Sequence, residues 1–218
     1  MNGRQIKGRH VLVMAKSPVP GRVKTRLCPP CAHEEAAALA EAALADTLDA
    51  VAACGAARRI VALDGAPGPW LPPGFEVVPQ VAGTFDRRLA EAWTAAGGPG
   101  VQIGIDTPQI TPELLDEGLA ALDTAGAALG PAVDGGWWAI ALQAPDPRVF
   151  LDIPMSTTAT GGAQLARLEE LGLAIAVLPT LVDLDTIDDL AAVTESGSAI
   201  RTAALARTLG VIPISPAR

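Results

Sequence analysis

Lys16, Arg22, Lys24 and Arg26 fall in the stretch Lys-Ser-Pro-Val-Pro-Gly-Arg-Val-Lys-Thr-Arg, straight after the short apolar run Val11 to Ala15. Cations at this density on a loop can hold phosphate. Pro18, Pro20 and Gly21 restrict or free the backbone so that amides and side chains can surround an anion. Lys16, Lys24 and Arg26 would give charge-assisted hydrogen bonds to phosphate oxygens. The loop is not a Walker A motif, because Val23 stands where a glycine should precede the lysine. A solvated basic turn is the plainer alternative. The first 33 residues hold seven of the sixteen Lys and Arg and no acidic residue. An otherwise acidic chain with one basic mouth suits a small anion better than a nucleic-acid backbone.

Three carboxylate-bearing motifs could complete such a site. Gly104-Ile105-Asp106-Thr107-Pro108 closes the apolar run Val101 to Ile105. Asp106 there could hold Mg²⁺ (or Mn²⁺), a hard cation that takes carboxylate, water and phosphate oxygens. An Asx-type turn before Pro108 is the structural alternative. Asp134-Gly135-Gly136-Trp137-Trp138 places two glycines between apolar runs, either for close approach of a ligand to the backbone or as a hairpin turn. Trp137 and Trp138 alternate faces, so one belongs to the core and only the other lines a pocket. In Asp183-Leu184-Asp185-Thr186-Ile187-Asp188-Asp189, Thr186 and Asp189 resemble a capping pair. Asp188 and Asp189 favour the positive end of the helix dipole. Asp183 and Asp185 precede that helix, so a second metal ligand is one of these two.

Two further patterns are not expected to do chemistry. Cys28-Pro29-Pro30-Cys31 with His33 imitates a zinc or redox motif, yet there is no second CxxC and Cys54 falls in a predicted helix. The pair reads as loop filler. His10 and His33 have no Ser, Asp or Cys arrangement that would build a nucleophilic triad.

Elements that would position these motifs alternate along the chain. Strands are predicted at Val11 to Ala15, Arg59 to Leu63, Phe75 to Pro79, Val101 to Ile105, Ala127 to Gly130, Trp137 to Leu142 and Ala174 to Leu178. A helix from His33 to Cys54 puts Leu44, Leu48 and Val51 on one face. A second carries Leu89 and Trp93, and a third carries Leu115, Leu119 and Leu122. Thr111-Pro112 opens the third as N-cap and first helical residue. The alternation predicts an α/β fold with a mostly parallel sheet and helices on both faces, whose ligands gather at the carboxyl ends of the strands. Residues from Gly210 to Arg218 are expected to form a loose tail.

The 218 residues suit one domain, residues 1–218 with a core at about 10–195 and a C-terminal helix and tail after it. Half are apolar, 18% are charged, and the mean hydropathy is +0.33, as in a folded globular chain. A net charge of −8 argues against nucleic acid as a partner. The N-terminal apolar run of about five residues is too short for a signal core or a membrane span. Three cysteines do not form a disulfide framework, so a reducing, cytoplasmic setting is expected.

Val13 to Leu27, Gly104 to Pro108, Leu129 to Trp138 and Asp183 to Thr186, in this order, resemble a bacterial family of glycosyltransferase-A-like transferases. This is the radical-SAM/selenodomain-associated transferase family, related to 2-phospho-lactate guanylyltransferases and molybdenum-cofactor nucleotidylyltransferases. The resemblance implies a single-domain nucleotide-diphospho-sugar transferase fold, Rossmann-like, with nucleotide over the first half of the sheet and acceptor over the second. Carried onto this chain, it gives Lys16, Gly21, Arg22, Lys24, Thr25 and Arg26 as nucleotide-binding residues. Lys24 and Asp106 are the expected catalytic residues, and Asp106 and Asp185 the metal pair. Asp134, Gly135, Gly136, Ser156 and Thr157 are expected to bind the acceptor. The chain departs from the family pattern at Thr107, Trp137-Trp138, Gly83 to Asp86 and Met155 to Thr157. The implied activity is Mg²⁺-dependent nucleotidyl transfer from a nucleoside triphosphate to a small-molecule acceptor, releasing pyrophosphate. A glycosyltransferase using a nucleotide sugar and a non-catalytic nucleotide-binding module are the alternatives.

Overall fold

The computed structural model describes residues 6–212. Seven strands form one sheet: β1 (Ile6–Lys16), β2 (Ala56–Asp64), β3 (Glu76–Pro79), β4 (Gly100–Ile103), β5 (Ala127–Pro131), β6 (Trp137–Leu142) and β7 (Ile175–Val177). Their order is β3-β2-β1-β4-β6-β5-β7. All neighbours pair in parallel except β6, which runs antiparallel to both β4 and β5. Parallel neighbours need a crossover, and helices supply it. A hairpin can join only antiparallel strands, and the tight turn through Gly135 joins β5 to β6.

Helices α1 (His33–Ala53) and α3 (Pro112–Ala121) cover one face, and α2 (Phe85–Ala96) and α4 (Thr160–Glu170) cover the other. In β1, Val11, Val13 and Ala15 face the α1/α3 core while Leu12 and Met14 face the α2/α4 core. A strand buried on both faces is apolar throughout, which is why this run is continuous rather than alternating. A third core, around Leu27, Leu39, Leu184 and Leu190, joins α1 to α5 (Ile187–Glu195) and α6 (Ile200–Thr208). Buried Asp46 of α1 accepts the amides of Arg201 and Thr202 and the Thr202 hydroxyl, which satisfies the free N–H groups at the start of α6.

The α/β architecture agrees with the sequence reading, and several boundaries move. β4 ends at Ile103, so Gly104 and Ile105 are not strand and Asp106 lies in a loop beyond it. The backbone there turns aside to pair with another segment, Leu184 N–H donating to Asp106 O at 2.6 Å. Cys54 caps α1 instead of lying within it. Thr111 caps α3 as expected, its hydroxyl accepting from Leu114 N–H at 3.3 Å. Gly210 to Ile212 are not a loose tail: Val211 N–H bonds to Ala206 O and Ile212 is buried in the third core. The remainder of that expected tail lies outside the described residues. Cys31 is likewise core instead of loop filler, packed in the same cluster as Leu27.

Candidate active site

Lys16, Asp64, Ile103 and Pro131 end parallel strands on one edge of the sheet, and Trp137 starts the antiparallel strand there. Loops leaving this edge enclose two adjoining cavities, of about 350 and about 680 Å³.

The smaller cavity lies over β1 and β2. Val19 to Arg22 form a turn closed by Arg22 N–H to Val19 O, with Pro20 second and Gly21 third at φ 73°. Proline and a positive-φ glycine in those places are what a type II turn requires. The turn throws Arg22 back over the strand end, where Lys16, Arg22, Lys24, Thr25 and Arg26 all reach the cavity wall. Gly21 shapes the turn and is not on the wall. Arg88 of α2 adds a fifth cation; it is held by Gln80 Oε1 at 3.1 Å and lies 3.8 Å from Asp64. Arg88 went unrecognised in the sequence. Its one signal is an arginine in the first turn of a helix, where the macrodipole disfavours positive charge.

Lys24 joins the distant segments. Its backbone is left-handed, φ 46°, and its side chain is only 7% exposed. The ammonium donates to Asp106 Oδ1 and Leu184 O and lies 3.8 Å from Asp185 Oδ1. Arg26 Nη1 donates to Asp185 Oδ2 at 3.0 Å. Asp106 and Asp185, far apart in sequence, therefore share one cation in the folded chain. Lys24 was expected to face phosphate; in this structure it neutralises the carboxylate pair.

The larger cavity continues from this pair toward β5 and β6. Asp134, Gly136, Ser156 and Thr157 lie on its wall, as do Asp183 and Asp185. Gly135 does not: a Cβ there would meet Thr158 O at 2.2 Å, so the glycine admits the chain entering α4 and not a ligand. Asp134 Oδ1 accepts Gly136 N–H at 2.8 Å and holds the hairpin. Trp137 and Trp138 take opposite faces as expected, but both reach this wall. Thr186 and Asp189 form the expected cap, with Asp189 Oδ2 accepting Thr186 N–H at 2.7 Å. Burial pushes the Asp183 carboxyl up to about 7, aided by the charges of Asp106, Asp134 and Asp185 and opposed by Lys24.

Among the described residues no group of three or more His, Cys, Asp or Glu is arranged to hold a metal. That excludes a closed structural site there, but not a magnesium-type one, which needs only one or two carboxylates plus phosphate and water. Asp106 and Asp185 fit that description, and the Lys24 ammonium already stands in for a cation between them.

Residues 38–157, more than half of the chain, match the family described as "uncharacterized protein conserved in bacteria (DUF2064)". The chain belongs to this family. No curated protein matches it. Among solved structures it is similar to a candidate nucleotide-diphospho-sugar transferase from Desulfovibrio desulfuricans G20, at 27% identity and a TM-score of 0.84, covering 93% of this chain and 95% of that one. It is also similar to Rv0371c of Mycobacterium tuberculosis H37Rv in complex with manganese, at 19% identity and a TM-score of 0.50, covering 86% and 98%. A third match is 4-diphosphocytidyl-2C-methyl-D-erythritol synthase from Anaerococcus prevotii, at 11% identity and a TM-score of 0.52, covering 90% and 98%. The fold is that of the nucleotide-diphospho-sugar transferases. No helix among the described residues is long and apolar enough to cross a membrane.

Proposed function

We propose that the protein is a divalent-cation-dependent nucleotidyltransferase, moving a nucleoside monophosphate from a triphosphate to a small acceptor. The observation that carries this is the smaller cavity, where five cations surround a space that opens onto the Asp106–Asp185 pair. A triphosphate brings about four negative charges, and this wall, with five cations against the carboxylates Asp64, Asp106 and Asp185, is net positive and attracts it. Lys16, Arg22 and Arg88 hold the β- and γ-phosphates. Asp106 and Asp185 would hold Mg²⁺ or Mn²⁺, a Lewis acid that would supply charge stabilisation in phosphoryl transfer. Lys24, which neutralises the pair in this structure, would have to yield its place to that ion. The chain need supply no covalent nucleophile, because positioning and charge neutralisation are sufficient for in-line displacement. The resemblance to guanylyltransferases and to molybdenum-cofactor nucleotidylyltransferases supports the same reading, as does the manganese complex of Rv0371c.

Glycosyl transfer from a nucleotide sugar is the second reading, favoured by the Desulfovibrio structure's description. It has less need of five cations beside the first strand. Thermal unfolding with a panel of nucleoside triphosphates and sugar nucleotides, with and without Mg²⁺, tests both, since bound ligand raises the apparent Tm. Stabilisation by a triphosphate, with pyrophosphate released on adding an acceptor, supports the first reading. Release of nucleoside diphosphate from a sugar nucleotide replaces it with the second.

A further inference from the structure

The larger cavity differs in kind from the smaller one. Trp137, Phe85 and Met155 give it apolar faces, and Ser156, Thr157 and Thr158 give it hydroxyls. Five carboxylates reach it, and three of these are engaged. Asp106 and Asp185 are tied to Lys24 and Arg26, and Asp189 accepts from Asp185 N–H, Thr186 N–H and the Thr186 hydroxyl. Asp134 has spent one oxygen on Gly136 N–H, while Asp183 has no hydrogen-bond partner among the described residues. Arg26 is the one cation on the described wall, and it is already paired with Asp185.

Away from the Asp106–Asp185 pair, a phosphorylated or carboxylated acceptor would meet Asp134 and Asp183, where the described wall brings no cation to offset the repulsion. Neutral hydroxyls meet the opposite situation. Hydroxyls pair with a carboxyl group in either form, since they donate to its oxygens and accept from its O–H, and the bonds that a carboxylate takes from O–H groups are charge-assisted and strong. The apolar C–H face of a ring or polyol can pack on the Trp137 indole. We infer that the acceptor is an unphosphorylated polyol or sugar, bound through its hydroxyls to Asp134 and Asp183 and packed against Trp137. This rests on the reading of the smaller cavity as the triphosphate site. The acceptor's hydroxyl oxygen bonds to the α-phosphorus as the bond to the bridging oxygen of the β-phosphate breaks. Pyrophosphate leaves, and the hydroxyl proton passes to water.

Matched pairs test the inference: glycerol with glycerol 3-phosphate, glucose with glucose 6-phosphate, and myo-inositol with its 1-phosphate. Each is titrated calorimetrically into protein preloaded with magnesium and a non-hydrolysable triphosphate analogue. At least one uncharged member should bind, and at least tenfold more tightly than its phosphorylated partner. The preference should shrink in Asp183→Asn and in Asp134→Asn, whose near-isosteric side chains keep the wall in place. Binding of a phosphorylated member as tight as that of its parent overturns the inference, and so does binding of no uncharged member. The preloading step reports separately on the triphosphate site. Failure there sinks the proposed function and the acceptor together, whereas normal preloading with the wrong preference sinks the acceptor alone.

Discussion

The smaller cavity has Lys16, Arg22, Lys24, Arg88 and one carboxylate, Asp64, to itself, while the larger has Asp134, Asp183 and Asp189; of the charged residues only Arg26, Asp106 and Asp185 belong to both walls. Opposite polarities on one sheet edge would, on the proposed reading, separate an anionic donor from a neutral acceptor without a partition of backbone between them. Field and shape together then decide which molecule enters which side. Lys24 sits where the two meet, which makes its partners the most sensitive point of the arrangement.

The largest effect is expected from removing a carboxylate at that point. Asp106→Ala should lower turnover by about a hundred- to a thousandfold, the usual loss for one preorganised electrostatic contact. Leu184 O and Asp185 still hold the nearly buried Lys24 ammonium, so the protein should stay folded, with a lowered Tm. Unchanged turnover would separate the two cavities from any common chemistry. Arg88→Ala tests the smaller cavity alone and should weaken triphosphate binding roughly tenfold, as for loss of a charged hydrogen bond, with polyol uptake unaltered. Lys24→Met should act in two directions. Nucleotide binding weakens, but Mn²⁺ alone binds roughly tenfold more tightly because the competing ammonium has gone. Mn²⁺ affinity equal to that of the unaltered protein, read by paramagnetic resonance, would show that Lys24 does not stand in the cation's place.

How much of this was legible depended on distance along the chain. The basic loop could be read because its prolines, glycine and cations are local, and local spacing is all that periodicity and turn chemistry report. The meeting of Asp106 with Asp185 is long-range, made by Leu184 N–H reaching Asp106 O; the residues alone left Asp183 and Asp185 open as its partner, and the family resemblance chose Asp185. Arg88 drew no reading, because the pattern in its helix reported only the apolar positions Leu89 and Trp93. Helix α4 escaped notice because Gly161 and Gly162 depress its propensity. Gly161 is there because a Cβ would meet Gly136 O at 2.6 Å, a tertiary demand with no local trace.

Far from both cavities, His10 offers a pH contrast. It is fully buried beneath Trp93, ring centroids 5.5 Å apart, and its imidazole nitrogens have no partner among the described residues. Burial and the Arg58 charge lower its pKa from 6.5 to about 4. The unfolded chain thus gains a proton below pH 6.5 that the folded chain refuses until about pH 4. Stability is retained above the first value and lost as pH falls toward the second, by about 2 kcal/mol near pH 5. Asp183, with its raised pKa, acts in the opposite direction and would mask part of the loss. The measurement is therefore a difference: urea unfolding near pH 7 and pH 5, compared with His10→Leu. Equal slopes in the two proteins would assign the acid sensitivity elsewhere.

The smallest expected effect concerns the wall of the larger cavity. Among the described residues three that are not glycine have positive φ, and two of them, Lys24 and Ser156, lie on a cavity wall. Ser156, at φ 58°, is followed by a hydrogen-bonded corner in which Thr160 Oγ1 receives Thr157 N–H and donates to Pro154 O. That corner fixes the backbone firmly enough to hold Ser156 in a conformation disfavoured by about 1 to 2 kcal/mol for a residue with a Cβ. Glycine would relieve the strain but bring an unfolded-state entropy penalty of about 0.5 to 1 kcal/mol. Ser156→Gly should therefore stabilise the fold by about 0.5 kcal/mol in urea unfolding. If polyol uptake weakens in the same variant, the strained hydroxyl serves the acceptor. If uptake is unchanged and the fold loses stability, Ser156 is a structural residue, and the larger cavity relies on its carboxylates and Trp137 alone.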